Sequence, residues 1–333
     1  LEAGTAATAQ TNYRLASVSK QFTAASVLLL IEDGVLTLDD RVRRWLPTLP
    51  VAAEGITLRH LRSHTSGLVD YEDLLPPDQA HQIHDADVLR LLEREDRLYF
   101  PVGSDYRYSN SGYALLALVV ERASGQRFAA FLQARIFSPL GMTATLARED
   151  EGPPVTDRAF GYTRVGDRWE RTDQSTTSAV LGDGGIYSSL DDLARWDAAL
   201  YDDRLLSKDS RRAMFSPATS TPEADVPHYG FGWRLNGPVQ WHSGESIGFR
   251  NVIVRWPGER LTVIVLSNRN DPEPYPLALA IGRLFGAASG DIVDSNIMQA
   301  MIIEALSVAL MLGSWWMLSR PAPAAEVAVD TVH

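Results

Sequence analysis

Apolar side chains in the first two thirds of the chain recur with the period of α-helices and predict several buried helices. The segment 17–33 is apolar nearly all round and is followed by Gly34, a pattern typical of a helix inside a core that ends at a glycine. A second segment of this kind, 111–124, is closed by Gly125. The predicted helices are 17–33, 57–67, 111–124, 128–137 and 190–200.

The pattern changes after residue 237, where short segments rich in Val, Ile and aromatic residues predict β-strands over 238–242, 249–256 and 261–267. Residues 257–260 read Pro-Gly-Glu-Arg, which is typical of a hairpin connection between the last two strands. A helix over 276–285, with a proline in its first turn, would cover this sheet. Consecutive antiparallel strands after a long helical region predict an α+β fold.

Charge and composition exclude several classes of function. The formal net charge of −11 at pH 7 works against binding to a phosphate backbone, so no nucleic-acid partner is expected. The chain contains no cysteine, which excludes disulfides, thiolate metal sites and cysteine nucleophiles. Only two of the 31 basic residues are lysines, Lys20 and Lys208, so a lysine at a particular position is informative.

The sequence Ser17-Val18-Ser19-Lys20 places a hydroxyl and an amine three residues apart at the start of the first helix, where they project from one face. A serine hydroxyl is a weak nucleophile until a neighbour removes its proton, and a desolvated lysine can do so. Arginine cannot, because it stays protonated in proteins. Ser17 is therefore a candidate nucleophile and Lys20 a candidate base, although the pair alone also fits an ordinary helix start.

Tyr108-Ser109-Asn110 stands directly before the helix 111–124, where a phenol and an amide could reach a common cleft. By itself the tripeptide favours a tyrosine packed over the helix, with Asn110 as its N-cap.

His242-Ser243-Gly244 ends the first predicted strand, and the glycine would let a substrate lie close to the strand backbone. A histidine at a strand end is also a common structural hydrogen-bonding group.

Together, in this order and about ninety and then about one hundred and thirty residues apart, the three motifs resemble those of the serine β-lactamase and D,D-peptidase superfamily. The similarity is greatest to the branch of class C β-lactamases, D-aminopeptidases and β-lactamase-like carboxylesterases. The resemblance extends over about residues 13–285 and implies a β-lactamase/transpeptidase-like fold, with an antiparallel sheet flanked by helices and a mostly helical subdomain. Four further motifs resemble those of the family: Leu58-Arg59-His60-Leu61, His64-Thr65-Ser66-Gly67-Leu68, Gly184-Gly185 followed by Ser188, and Tyr229-Gly230-Phe231-Gly232-Trp233.

The resemblance implies a role for each residue of the first two motifs. Ser17 would be acylated, Lys20 would accept its proton, and Tyr108 would relay a proton to the leaving atom. Which of Lys20 and Tyr108 is the base in acylation is left open. Asn110 would hold the acyl side of the substrate and the lysine, and no metal or organic cofactor is implied.

The third motif would line the substrate site through His242, Ser243 and Gly244. The resemblance also implies an oxyanion hole made of two backbone N–H groups, those of Ser17 and Glu245.

Two features depart from the family pattern. Only sixteen residues precede Ser17, where members have a helix and two strands, so the sheet is expected to lack two strands and 261–267 to have an exposed edge. The segment after Phe285 has no counterpart in the common domain. The expected organisation is a serine hydrolase domain over 1–290, with a mostly helical region (17–228) and a region of strands with a covering helix (229–290), followed by an apolar helix and a Pro/Ala-rich tail (291–333).

Within that last segment, 297–318 is mostly apolar but is interrupted by Gln299 and Glu304 and followed by Arg320. It is long enough to be a membrane anchor that leaves catalysis outside the cytoplasm. It could instead bury its apolar face against the domain or a second subunit.

Because Leu1 is not a methionine, a processed or truncated start is expected, and the expected location is periplasmic or secreted. The oligomeric state is left open.

Two histidine pairs have spacings that occur in metal sites, but neither pair is interpreted as a metal site. His81 and His84 lie in a polar segment with no third ligand at a regular spacing, which favours a surface loop. His60 and His64 are four residues apart like a metalloprotease pair, but the helix breaks after His64 and no glutamate adjoins His60. They are interpreted as groups that support neighbouring residues or cap the helix.

The leading functional hypothesis is acyl-transfer hydrolysis of a small ester, amide or β-lactam through an acyl-enzyme on Ser17. A carboxylesterase is preferred, because β-lactamases and D,D-peptidases usually carry a cation in the third motif, whereas His242 with an ordinary pKa of about 6.5 is mostly neutral at pH 7. The alternatives are a β-lactamase or D-amino acid peptidase, and a membrane-tethered sensor that is acylated without turnover.

Overall fold

The computed structural model describes residues 4–287. Helices dominate the first two thirds of this part of the chain and return at its end, and a short 3-10 turn, Ala16–Ser19, directly precedes the first of them. The α-helices are α1 (Lys20–Glu32), α2 (Val42–Trp45), α3 (Leu58–Arg62), α4 (Asp85–Leu92), α5 (Asn110–Ser124), α6 (Phe128–Leu132), α7 (Leu190–Ala199), α8 (Lys208–Phe215) and α9 (Tyr275–Leu284).

The strands form a six-stranded antiparallel sheet in the order β11-β10-β9-β8-β7-β6, a three-stranded sheet in the order β1-β5-β2, and the hairpin β3-β4. Their bounds are β1 (Tyr13–Arg14), β2 (Leu146–Ala147), β3 (Tyr162–Val165), β4 (Arg168–Arg171), β5 (Ile186–Ser188), β6 (Thr219–Ser220), β7 (His228–Tyr229), β8 (Arg234–Asn236), β9 (Val239–Ser246), β10 (Phe249–Trp256) and β11 (Leu261–Ser267). This arrangement confirms the predicted α+β class.

The third motif lies inside a strand, which corrects the prediction that a strand ends at His242. β9 continues to Ser246 because β10 pairs with it along that whole length, from Phe249 opposite Ser246 to Arg255 opposite Gln240. β10 and β11 have the predicted bounds. The region 17–228 also contains the short strands β2 to β6, which the sequence pattern did not predict.

The first buried helix begins one turn later than predicted. Ser17 lies in the 3-10 turn, and Lys20 is the first residue of α1. The backbone enters this turn through Ala16, whose φ of 51° lies in the left-handed region that a residue with a Cβ rarely adopts. The predicted helix over 57–67 ends at Arg62, and α6 passes into a wider π-helical turn, Gln133–Phe137.

The core is built around α1, which is buried along most of its length. The ring of Phe22 on this helix packs at centroid distances of 5.4 Å from Phe137 and 4.6 Å from Trp196. On the far side of the large sheet, α9 approaches β10 so closely that a Cβ on Gly282 would lie 2.4 Å from the ring of Trp256. The sheet is therefore held between helices on both faces.

At one edge of the large sheet, β11 pairs only with β10 among the described residues. Helices α7 and α9 pack against it. Between residues 4 and 287, no helix has the length and apolarity needed to cross a bilayer. The segment 297–318 and the whole tail 291–333 lie outside the described residues, so the anchor and the boundary after residue 290 stay predictions.

Candidate active site

The first motif brings its two polar groups into contact. Lys20 Nζ lies 3.0 Å from Ser17 Oγ, and the lysine side chain is completely buried while Ser17 is partly exposed. Two further oxygens surround Nζ, Oδ1 of Asn110 at 2.8 Å and the backbone carbonyl of Asp183 at 3.0 Å. Lys20 therefore has three hydrogen-bond partners, one for each proton of an ammonium group, and none of them is a carboxylate.

Tyr108 lies beside this group, with its ring centroid 5.0 Å from Lys20 Nζ. Its hydroxyl is buried and has no hydrogen-bond partner among residues 4–287. A buried polar atom without a partner is rare in folded proteins and marks a place where a substrate atom or a water can bind. The hydroxyl is therefore available for a hydrogen bond to a group that enters the site.

Asn110 is the first residue of α5 and reaches Lys20 as expected. The N-cap of this helix is Ser109, whose Oγ accepts a hydrogen bond from the Gly112 N–H. The Asn110 N–H donates to Asp70 Oδ2 at 2.7 Å, which places a carboxylate at the positive end of the helix. The amide side chain is therefore left to contact Lys20.

His242 is completely buried and uses both ring nitrogens inside the protein. Nδ1 donates to the carbonyl of Ser243 at 2.6 Å, so Nε2 of the neutral ring accepts from the Tyr229 hydroxyl at 3.0 Å. Burial, together with the positive charges of Arg234 and Lys20, holds the pKa of His242 well below its usual range. The ring centroid lies 6.2 Å from that of Tyr108, so the second and third motifs are neighbours.

Gly244 brings the third motif against the Ser17 turn. A Cβ at this position would lie 2.0 Å from the carbonyl oxygen of Leu15. The glycine is therefore required for the close approach of the protein's own backbone. This corrects the expectation that the glycine makes room for a substrate. Ser243 is almost fully buried. Glu245 lies opposite Arg250 in the β9–β10 pairing and carries an exposed side chain. The oxyanion hole formed by Ser17 and Glu245 stays a prediction.

With this geometry in place, comparison with known families matches residues 1–287 to the family described as Beta-lactamase. The chain belongs to the beta-lactamase family. Membership of the serine β-lactamase and D,D-peptidase superfamily, predicted from the three motifs, is thereby confirmed, and so is the β-lactamase/transpeptidase-like fold.

Family members of known name are similar over most of the described residues. Penicillin-binding protein 4* of Bacillus subtilis (strain 168) is 36% identical over 286 residues, which cover 80% of this chain and 63% of the relative. The D-aminopeptidase of Gluconobacter oxydans (strain 621H) is 30% identical over 276 residues, or 78% of this chain and 50% of the relative. The chain thus spans less than two thirds of either relative.

Among solved structures, a penicillin-binding protein from Bacillus halodurans superimposes with a TM-score of 0.75 at 28% sequence identity. The match covers 84% of this chain and 87% of that one. The fold of this beta-lactamase family member is thus shared with a protein named for binding penicillin.

One acidic residue of this family member's site went unnoticed in the sequence. The carbonyl of Asp183 accepts a hydrogen bond from Lys20, and its almost completely buried carboxyl accepts one of 2.8 Å from the Tyr71 hydroxyl. Burial raises the pKa of this carboxyl to about 7, although the charge of Lys20 opposes the rise. The only sequence signal was a lone acid inside the glycine-rich segment 182–185.

A cation near the third motif was also missed. Arg234 on β8 lies with its guanidinium carbon 5.6 Å from the Tyr108 ring centroid and 4.9 Å from that of Trp241. Its Nε is buried without a hydrogen-bond partner, and none of the ion pairs found within residues 4–287 involves Arg234. Arg234 directly follows the motif Tyr229-Gly230-Phe231-Gly232-Trp233, so its position beside a family motif was a signal in the sequence that could have indicated a cation near the site.

His60 and His84 each lie at the start of a helix. His60 completes a capping box with Thr57 at the start of α3, and His84 contacts Asp87 and Asp150 at the surface. A separate cavity of about 870 Å³ lies beside Tyr13 and Trp169, and none of the candidate site residues lines it.

Proposed function

We propose that this protein hydrolyses amides through an acyl-enzyme on Ser17. The observation that supports this most directly is the contact of 3.0 Å between Lys20 Nζ and Ser17 Oγ. Since none of the three hydrogen-bond partners of Nζ is a carboxylate, loss of a proton from the buried lysine breaks no hydrogen-bonded ion pair. The arrangement therefore suits a lysine that activates the neighbouring serine.

The reaction would follow the course of acyl transfer. Ser17 Oγ attacks the substrate carbonyl carbon as its proton passes to Lys20 or Tyr108, and the oxyanion forms at the N–H groups of Ser17 and Glu245. The C–N bond then breaks, the departing nitrogen takes up a proton relayed by Tyr108, and water releases the acyl group from Ser17. Asn110 holds Lys20 and the acyl side of the substrate.

Arg234 favours a substrate that carries a carboxylate on its leaving-group side. A guanidinium next to Tyr108, with a buried Nε that lacks a partner, is suited to bind a carboxylate. We inferred an esterase because the third motif lacks a cation, but the neighbouring strand supplies one. Peptides that end in a D-amino acid and β-lactams carry such a carboxylate, in agreement with the name penicillin-binding protein of one relative. The name D-aminopeptidase of another relative supports cleavage of an amide but not a carboxylate on the leaving group.

The acyl-enzyme is tested by intact mass spectrometry after exposure to peptides ending in two D-alanines, to β-lactams and to aryl esters. The parent should gain the mass of one acyl group on Ser17 and turn over at least one of these substrates. Ser17→Ala should gain none and lose at least about 10⁴-fold in kcat, because it removes only the nucleophilic oxygen. Labelling of another serine by a fluorophosphonate would refute the assignment of Ser17.

The substrate class is tested with a peptide that ends in a free carboxylate and the same peptide as its C-terminal amide. Arg234→Gln should lower kcat/KM for the free acid about 10- to 100-fold and leave the amide within about threefold, as expected for a lost charge-assisted contact. Arg122→Gln, on the exposed side of α5, is the control. A parent that does not distinguish the two peptides would contradict the role of Arg234.

A carboxylesterase remains a second candidate, favoured by the neutral, fully buried His242. It predicts faster turnover of an aryl acetate than of any carboxylate-bearing peptide, and unchanged ester hydrolysis in Arg234→Gln. A sensor that is acylated once would give a stoichiometric burst without a steady state. An extracytoplasmic location and a membrane anchor over 297–318 also stay predictions.

A further inference from the structure

His64 holds the backbone on both sides of Tyr108. Its carbonyl oxygen accepts a hydrogen bond of 3.0 Å from the Arg107 N–H, and its Nδ1 accepts one of 3.1 Å from the Ser109 N–H. These two amide groups flank Tyr108 in the chain. The tyrosine therefore cannot shift along the cleft without breaking a hydrogen bond to His64.

The imidazole ring of His64 also packs between the second and third motifs. Its centroid lies 4.4 Å from that of the Tyr108 ring at an interplanar angle of 33°, and 4.4 Å from that of Tyr229 in an edge-on arrangement. Tyr229 in turn donates its hydroxyl to His242. His64 is 1% exposed, so this packing is complete on all sides.

The backbone of His64 adopts a conformation that only its surroundings can maintain. Its φ of 60° lies in the left-handed region, which costs free energy for a residue with a Cβ and is most accessible to glycine and asparagine. In this conformation the carbonyl oxygen and Nδ1 of His64 both reach the segment that contains Tyr108, where they accept the hydrogen bonds from Arg107 and Ser109. Burial and the charges of Lys20, His242 and Arg234 keep the pKa of His64 well below its usual range, so Nδ1 remains an acceptor.

We propose that His64 is a positioning residue that fixes the Tyr108 hydroxyl relative to Ser17 and Lys20. This inference rests on the proposed function, since Tyr108 must exchange a proton during acylation and leaving-group departure. His64 itself transfers no proton and touches no substrate atom. It acts through the two amide groups on either side of Tyr108 and through ring packing.

Two amide side chains of different reach provide a matched test. The Oδ1 atom of asparagine lies where Nδ1 lies in histidine, so His64→Asn keeps the acceptor for the Ser109 N–H and tolerates the left-handed backbone. Glutamine places its oxygen one bond further out and loses that acceptor. We expect His64→Gln to lower kcat about 30-fold with KM within about threefold, and His64→Asn to stay within about fivefold of the parent, since proton transfer contributes about 10² or more.

A double-mutant cycle separates positioning from a general effect on the fold. If His64 acts through Tyr108, His64→Gln should cost less than about twofold in a Tyr108→Phe background, measured as single-turnover acylation by an aryl ester. Equal losses in both backgrounds would overturn the proposal, and so would equal activities of His64→Gln and His64→Asn. His60→Asn, which keeps the acceptor of its capping box, is the control and should match the parent.

The order of measurements keeps this proposal distinct from the proposed function. A parent that neither turns over substrate nor becomes acylated on Ser17 contradicts the proposed function. A parent that does both, while His64→Gln retains its kcat, overturns the role of His64 alone. Thermal melting checks that each variant is folded, and if His64→Gln does not fold, His64→Gly replaces it because glycine adopts the left-handed backbone without strain.

Discussion

The two sides of the cleft bury a basic side chain to the same extent and use it in opposite ways. On the helical side, Lys20 points its nitrogen at the partly exposed Ser17 hydroxyl. On the strand side, both nitrogens of His242 bind groups of the protein itself, Tyr229 and the backbone of Ser243. A motif residue can therefore be central to the chemistry or to the scaffold, and its hydrogen-bond partners distinguish the two. On the strand side, Arg234 is the cation that we propose for binding a substrate carboxylate.

Among the substitutions that test this difference between Lys20 and His242, Lys20→Arg should have the largest effect. Arginine keeps the positive charge but cannot release a proton at physiological pH, so kcat/KM should fall at least about 10³-fold. The measurement is steady-state hydrolysis of the best substrate, with circular dichroism to verify folding. Lys208→Arg, at the exposed start of α8, is the matched control and should be unaffected. Activity within tenfold of the parent would make Lys20 a structural residue.

The same contrast explains what the sequence could predict. Helix α5 and strands β10 and β11 were predicted closely, because a helical period closed by Gly125 and apolar runs joined by a four-residue turn are local signals. Strands β7 and β8 have two and three residues, too few for any period to appear, and they carry Tyr229 and Arg234. The helical side of the cleft was therefore easier to predict than the strand side.

Two features of the site depend on contacts between distant parts of the chain. The carboxyl of Asp183 accepts its hydrogen bond from Tyr71, and His242 is hydrogen-bonded to Tyr229 on the short strand β7. Neither partner stands at a spacing that a helix or strand would fix. The three motifs predict which side chains lie together, and the folded chain brings Ser17, Lys20 and Asn110 into contact, but only the folded chain identifies the groups that hold them.

A smaller effect should follow from removing the buried acid behind Lys20. The pKa of Asp183 is raised from 3.8 to about 7 in the folded protein, so between these pH values the folded state binds more protons than the unfolded chain. The free energy of unfolding therefore falls as pH rises through this window. An asparagine side chain has no proton to lose in this range, so Asp183→Asn should gain stability relative to the parent between pH 5 and pH 8, by on the order of 3 kcal/mol.

Urea unfolding of the parent and Asp183→Asn at several pH values measures this difference directly. Asp85, whose pKa burial raises to about 6, contributes a change of the same sign to both proteins. Next to burial, the negative charge of Asp85 also raises the pKa of Asp183, so the difference between the two curves includes this coupling. Asp167→Asn, on the exposed turn of the β3-β4 hairpin, should follow the parent curve. Parallel curves for the parent and Asp183→Asn would mean that the carboxyl ionises without a penalty from burial.

The smallest expected effect is a pH dependence of substrate preference that arises from His242. It tests directly whether His242 differs from Lys20 in taking no part in the chemistry. Because burial, Arg234 and Lys20 hold its pKa well below 6.5, the ring should stay neutral from pH 5 to pH 8. The ratio of kcat/KM for a cephalosporin to that for an aryl acetate should then change by less than about twofold across this range, since a titrating imidazole is what would shift it. Arg234→Gln should lower the ratio at every pH, because it removes the guanidinium proposed to bind the carboxylate of the cephalosporin. An inflection near pH 6.5 that disappears in His242→Asn would place a titrating histidine against the substrate, and the strand side of the cleft would then resemble the Lys20 side in its chemistry.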